Sequence, residues 1–75
     1  MSKDEFSKML MDTQAKYLLR EGKHLTNINR GRLLVALYAL GKRFYEIVYG
    51  YPSHEIIKVE EISAEQVMKN YLEQL

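Results

Sequence analysis

Seventy-five residues with 47% hydrophobic content and a formal net charge of +1 are enough for one small domain, residues 1–75, and a chain this short buries only about 60% of the surface that its unfolded form exposes. With no Cys, neither a disulfide framework nor a thiolate nucleophile is available, and no apolar run approaches the ~20 residues of a membrane-spanning helix. Charge is segregated: residues 16–43 carry seven Lys/Arg against Glu21 alone, whereas residues 44–75 carry six Glu against Lys58 and Lys69. That asymmetry steers charged partners without naming one.

The chain opens with a helix. Ser2-Lys-Asp-Glu5 has the spacing of a capping box, in which the Ser2 hydroxyl accepts from the Glu5 amide and the Glu5 carboxylate reaches back. The pattern predicts a helix from Ser2 to a stop at Gly22, a residue that takes the left-handed conformation without a Cβ penalty. Met1–Asp12 is polar and lacks the apolar region of a signal peptide, so a cytoplasmic location is expected. Two apolar stripes run along this helix. Phe6, Met9, Leu10 and Tyr17 share one side, and Met11, Ala15, Leu18 and Leu19 lie nearly opposite. The helix is expected to pack between the sheet and another element of its own chain; the alternative leaves Met11, Leu18 and Leu19 as a candidate protein interface.

Lys23–Arg32 (KHLTNINRGR) reads as a polar, basic connector with Asn27, Asn29 and Gly31 as turn formers, and with an edge of structure around Leu25 and Ile28. Arg20, Lys23, Arg30, Arg32, Lys42 and Arg43 are candidate phosphate contacts.

Arg32–Ile62 is the organising stretch. Phe44, Tyr45, Ile47, Val48 and Tyr49, then Ile56, Ile57, Val59 and Ile62, are the β-branched and aromatic residues that favour strands. Gly41-Lys42 suits a two-residue hairpin with Gly first, as a type II′ turn requires, and Tyr51–His54 supplies a second turn around Pro52. A helix over residues 29–49, and so an all-α fold, is the alternative, because Leu33, Ala36, Leu37, Leu40, Phe44, Ile47 and Val48 also recur at helical spacing.

A turn at Gly41-Lys42 sets the register. Leu40 faces Arg43, Tyr38 faces Tyr45, Ala36 faces Ile47 and Leu34 faces Tyr49; the other face pairs Ala39 with Phe44, Leu37 with Glu46 and Val35 with Val48. Both faces are substantially apolar, which a sheet with one watery side is not. Something must cover the second face. Tyr38, Tyr45 and Tyr49 share one face and suit an interface, since Tyr joins apolar area to a polar tip.

The last helix follows Ser63. Ser63 and Gln66 form a second capping box, Ile62 and Val67 have the spacing of a hydrophobic staple, and Val67, Met68, Tyr71, Leu72 and Leu75 make one stripe for docking on the sheet. The expected fold is α+β: α-β-β-β-α, a three-stranded antiparallel meander packed by terminal helices.

No catalytic constellation is legible. His24 and His54 lack metal-ligand spacing, Glu60 and Glu61 on a strand point to opposite faces, and Gly41-Lys42 lacks the rest of a phosphate loop. No cofactor, metal, membrane or small-molecule substrate is expected. Two readings stand: a non-enzymatic protein-interaction module, regulator or adaptor, with self-association into a homodimer as one form; and a nucleic-acid-binding protein using the basic segment 16–43 and stacking bases on sheet tyrosines.

Overall fold

A computed structural model describes residues 3–71. Seven elements follow in order: α1 (Lys3–Ser7), α2 (Met11–Glu21), β1 (Lys23–Arg30), β2 (Leu33–Leu40), β3 (Arg43–Gly50), β4 (Ile56–Ile62) and α3 (Ala64–Tyr71). The strands form one antiparallel sheet in the order β1-β2-β3-β4. The fold is α+β, and the all-α alternative is overturned because residues 29–49 lie in strands joined by two turns rather than in one helix.

The central hairpin has the expected register throughout, from Leu40 opposite Arg43 to Leu34 opposite Tyr49. Gly41 has φ +62° while Lys42 does not enter positive φ, the φ sequence of a II′ turn. The meander has four strands, not three. The segment expected to be a connector is β1, and its turn repeats the same device: Arg30 pairs with Leu33 across Gly31-Arg32, with Gly31 at φ +67°. An edge strand needs little apolar content: of the two aliphatic residues of β1, Ile28 packs against a core cluster and Leu25 is exposed. The longer β3–β4 connection is tied by Gly50 N–H to Glu55 O (2.8 Å), His54 N–H to Gly50 O (2.8 Å) and Tyr51 N–H to Arg32 O (2.9 Å). Its Tyr51–Pro52 bond is cis, and His54 adopts φ +62°.

The first helix is broken. Leu10 is extended (ψ 153°) and separates α1 from α2. The two opposed apolar stripes explain this: on one straight helix Phe6 would point away from the sheet whenever Ala15 and Leu18 pointed toward it. The break turns both onto the same face. Phe6 sits 4.7 Å, ring to ring, from Tyr45 and 6.1 Å from Tyr17, while Ala15 and Leu18 are fully buried in the same cluster with Ala36, Tyr38 and Ile47. Gln14 Nε2 donates to Phe6 O (3.0 Å) and holds the corner. The capping Ser2 lies outside the described residues.

Helix α3 covers the opposite face, as the doubly apolar hairpin demands. Gln66 N–H donates to Ser63 Oγ (3.1 Å) and Ser63 N–H to Gln66 Oε1 (3.2 Å), so the capping box forms. Ile62, Val67 and Tyr71 join Leu37 in a second core cluster, with Ile28 and Phe44 against it. Met68, expected in the buried stripe, is exposed; Leu72 and Leu75 lie outside the described residues. The result is three layers: helices α1 and α2, the sheet, and helix α3.

Gly22 ends α2 for a reason other than the expected one. It is extended (φ −83°, ψ 164°), not left-handed, and donates N–H to Leu18 O at 2.9 Å. A Cβ there would stand 2.7 Å from Leu18 O, in the last turn of α2 itself, and 3.3 Å from Ala39 O of β2, both backbone atoms, so the tight exit of the chain over the Leu18 carbonyl, with β2 close on the other side, is what requires glycine. Gly22→Ala is expected to cost about 1–3 kcal/mol through forced backbone shifts, lowering the melting temperature by roughly 4–8 °C per kcal/mol; thermal and urea unfolding check this.

Candidate functional site

The residues expected to make an interface divide between core and surface. Leu18 is fully buried, and Tyr38 and Tyr45 are buried beneath α1 and α2. The tyrosine face that was to meet a partner is occupied by the chain's own helices. Tyr49 is half-buried at the margin of the same cluster, whereas Met11 and Leu19 are exposed. Burial raises the pKa of Tyr38, Tyr45 and Tyr49; Tyr49 adds to the effect at Tyr38 and Glu61 to that at Tyr45, where Arg43 opposes it.

The candidate phosphate contacts do not form one surface. Lys23 opposes Ala39 at the start of β1, beside the Lys42-Arg43 corner, and Arg20 lies in the last turn of α2 that leads there. Arg30 and Arg32 flank Gly31 at the other end of β1, roughly 25 Å away for an eight-residue strand. At the first end Arg20 pairs with Glu21 (3.5 Å) and lies over the Tyr17 ring (5.5 Å), and Arg43 approaches Glu61 (3.9 Å). His24 Nε2 and Asn27 Oδ1 share a hydrogen bond of 2.8 Å, with the His24 ring against Tyr38. Among the described residues no group of three or more His, Asp or Glu is placed to hold a metal ion, and no helix is long and apolar enough to cross a membrane.

A polar tie on the α3 face was not foreseen. Glu46 lies on β3 opposite Leu37 and Glu60, and its Oε2 accepts a hydrogen bond from the hydroxyl of the fully buried Tyr71. That carboxylate, which the hairpin register sets opposite Leu37 on an apolar face, anchors α3. Burial, then the hydrogen bond to Glu46, raises the Tyr71 pKa, with nearby Arg30 opposing. Lys58 bonds Glu60 at 2.8 Å on the exposed rim, which raises the Lys58 pKa. The signal was the lone acid on an apolar face, but its donor lies 25 residues further on.

The sheet's two edges differ. Beside β4 stand α1 and the start of α2, across an open cleft of about 270 Å³ lined by Phe6, Gln14, Tyr45, Val59, Glu60 and Glu61. The β4 edge carries Lys58, Glu60 and Glu61, and its pairing with β3 is irregular near Val48 and Tyr49. Charges and bulges of this kind guard an edge. The β1 edge is open: six of its eight residues are exposed, and only Thr26 and Ile28 are half-buried. Because Arg30 and Leu33 close a two-residue turn, they form a hydrogen-bonded pair, and antiparallel alternation then turns the N–H and C=O of Asn27 and Asn29 away from β2 into solvent. The ladder shifts between His24 and Thr26 and is regular from Thr26 to Arg30. This strand lies where the residue pattern predicts a connector. Its signal was the Gly31-Arg32 and Gly41-Lys42 pair, ten residues apart, bracketing an eight-residue strand.

No protein-family model matches this chain, and no curated protein or solved structure matches it significantly.

Tyr71→Phe leaves the Glu46 carboxylate without its donor on an apolar face and is expected to cost about 1–3 kcal/mol, whereas Tyr71→Phe with Glu46→Leu recovers most of that; urea unfolding of the single and double variants measures the difference. A phenol whose folded pKa lies above its ordinary value of about 10 contributes stability that is complete below that pH and lost as pH rises through the folded value. Unfolding midpoints are therefore expected to hold steady to about pH 9 and fall above about pH 10, less steeply in Tyr71→Phe.

Proposed function

We propose that this protein is a small non-enzymatic interaction module, a regulator or adaptor that works through protein–protein contacts. The observation that carries the proposal is β1, an edge strand exposed along most of its length with the backbone of Asn27 and Asn29 directed outward. Extended segments of other proteins add to such edges, with main-chain hydrogen bonds supplying affinity. Exposed Leu10, Leu19 and Met68 offer apolar area on the helical layers. The cysteine-free composition suits a reducing, cytoplasmic setting.

The competing nucleic-acid reading loses its stacking platform, because Tyr38 and Tyr45 are buried under α1 and α2 and the basic side chains divide between two ends of the sheet. Two measurements separate the readings. Fluorescence anisotropy of labelled single- and double-stranded DNA and RNA at two salt concentrations is expected to show no binding that weakens steeply with salt; such binding, lost in Lys42→Ala with Arg43→Ala, would replace the proposal. Affinity capture with wild-type protein and with Asn27→Pro, which removes an outward N–H that the β1–β2 ladder does not use, is expected to recover proteins that the variant loses.

A further inference from the structure

The open β1 edge is self-complementary, and we infer that it pairs antiparallel with β1 of a second copy of this chain about a twofold axis through Ile28, joining two four-stranded sheets into one of eight strands. This deepens the protein-interaction reading and rests on it.

Backbone parity restricts the register. A second antiparallel strand can bond only where outward groups meet outward groups, which on β1 means Asn27 and Asn29. Placing the axis at Ile28 sets Asn27 opposite Asn29 of the second copy, and the converse, so that two pairs exchange about four backbone hydrogen bonds. Thr26 then faces the second copy's Arg30, and no cation meets a cation. Moving the axis to Asn27 would carry the paired run toward the irregularity between His24 and Thr26; moving it to Asn29 would shorten the paired run. The regular part of β1, Thr26 to Arg30, is the part used, and the irregularity between His24 and Thr26 falls outside it.

Side chains agree with the same axis. Ile28 is half-buried against the Leu37, Ile62, Val67 and Tyr71 cluster on the α3 face. Across a twofold at Ile28 the two isoleucines form a non-hydrogen-bonded pair, the closer of the two kinds, and the apolar cluster of each copy continues into the other. On the opposite face the amides of Asn27 and Asn29 lie side by side. The contact uses the same strand on both copies and closes on itself, so it ends at a dimer and not a fibre. At β4 the Lys58–Glu60 pair, the irregular ladder and the flanking α1 leave no comparable run.

The test is sedimentation of the full chain from about 10 µM to about 1 mM, together with cross-linking in a protein that has no cysteine of its own. The wild type is expected to shift from monomer mass toward dimer mass with concentration. Asn27→Pro should stay monomeric at the top concentration while keeping its circular dichroism spectrum. Should that variant fail to fold, a charge pair tests the register: Asn27→Asp with Asn29→Asp weakens the dimer at least tenfold, and Asn27→Asp with Asn29→Lys restores it. Mild oxidation is expected to cross-link Ile28→Cys across the axis, within the reach of a disulfide, and to leave Glu60→Cys on the other edge as monomer. A wild type that stays monomeric throughout, or a dimer that survives Asn27→Pro and forms no Ile28→Cys cross-link, overturns the inference. Either result leaves the interaction reading standing on the proteins captured in trans; that reading falls separately, to salt-steep nucleic-acid binding.

Discussion

Two strands that are apolar on both sides cannot be satisfied by one layer of cover, and the β2–β3 hairpin imposes that constraint on the whole chain. Ala36, Tyr38, Tyr45 and Ile47 fill one face, and Leu37 with the cross-strand pair Val35 and Val48 fill the other. Burying both requires helices on both sides, and the sequence places one helical segment before the sheet and one after it. The broken N-terminal helix is a consequence. A straight helix would have spent one of its stripes on solvent, and the extended Leu10 lets Phe6 and Leu18 reach the same surface.

The α3 face carries a polar concession in this arrangement. Glu46 sits where an apolar residue would have been simpler, and the hydroxyl of Tyr71 is its partner. Such a pair fixes which rotation of α3 is acceptable, since any other leaves a carboxylate facing an apolar cluster. The capping box at Ser63 and Gln66 sets where α3 begins, and the Tyr71 bond sets how it lies. Position and orientation are thus specified by different residues.

What remains exposed is as informative as what is covered. Six of the eight β1 residues are exposed, more than on any other strand, so β1 is left as the least enclosed part of the sheet. A chain of this size has little apolar area to spare, and an edge strand whose middle carries Thr and Asn in place of charge is a surface from which further pairing can grow. The interaction reading and the twofold at Ile28 both follow from this asymmetry between the two edges.

By itself the sequence determined the hairpin register, the II′ turn at Gly41-Lys42, the start of the last helix and the need for a second covering layer, because each follows from residues adjacent in the chain or paired across a two-residue turn. Tertiary structure alone decided the rest. It chose β1 as a strand, since an edge strand borrows its order from the neighbour to which it bonds and its own residues show almost no alternation. It broke the first helix, since only the sheet's position reveals that two opposed stripes must face one way. It put Leu18, Tyr38 and Tyr45, three of the candidate interface residues, in the core and left β1 open. Which apolar face meets solvent is a property of the packed layers, and no local pattern in the chain records it.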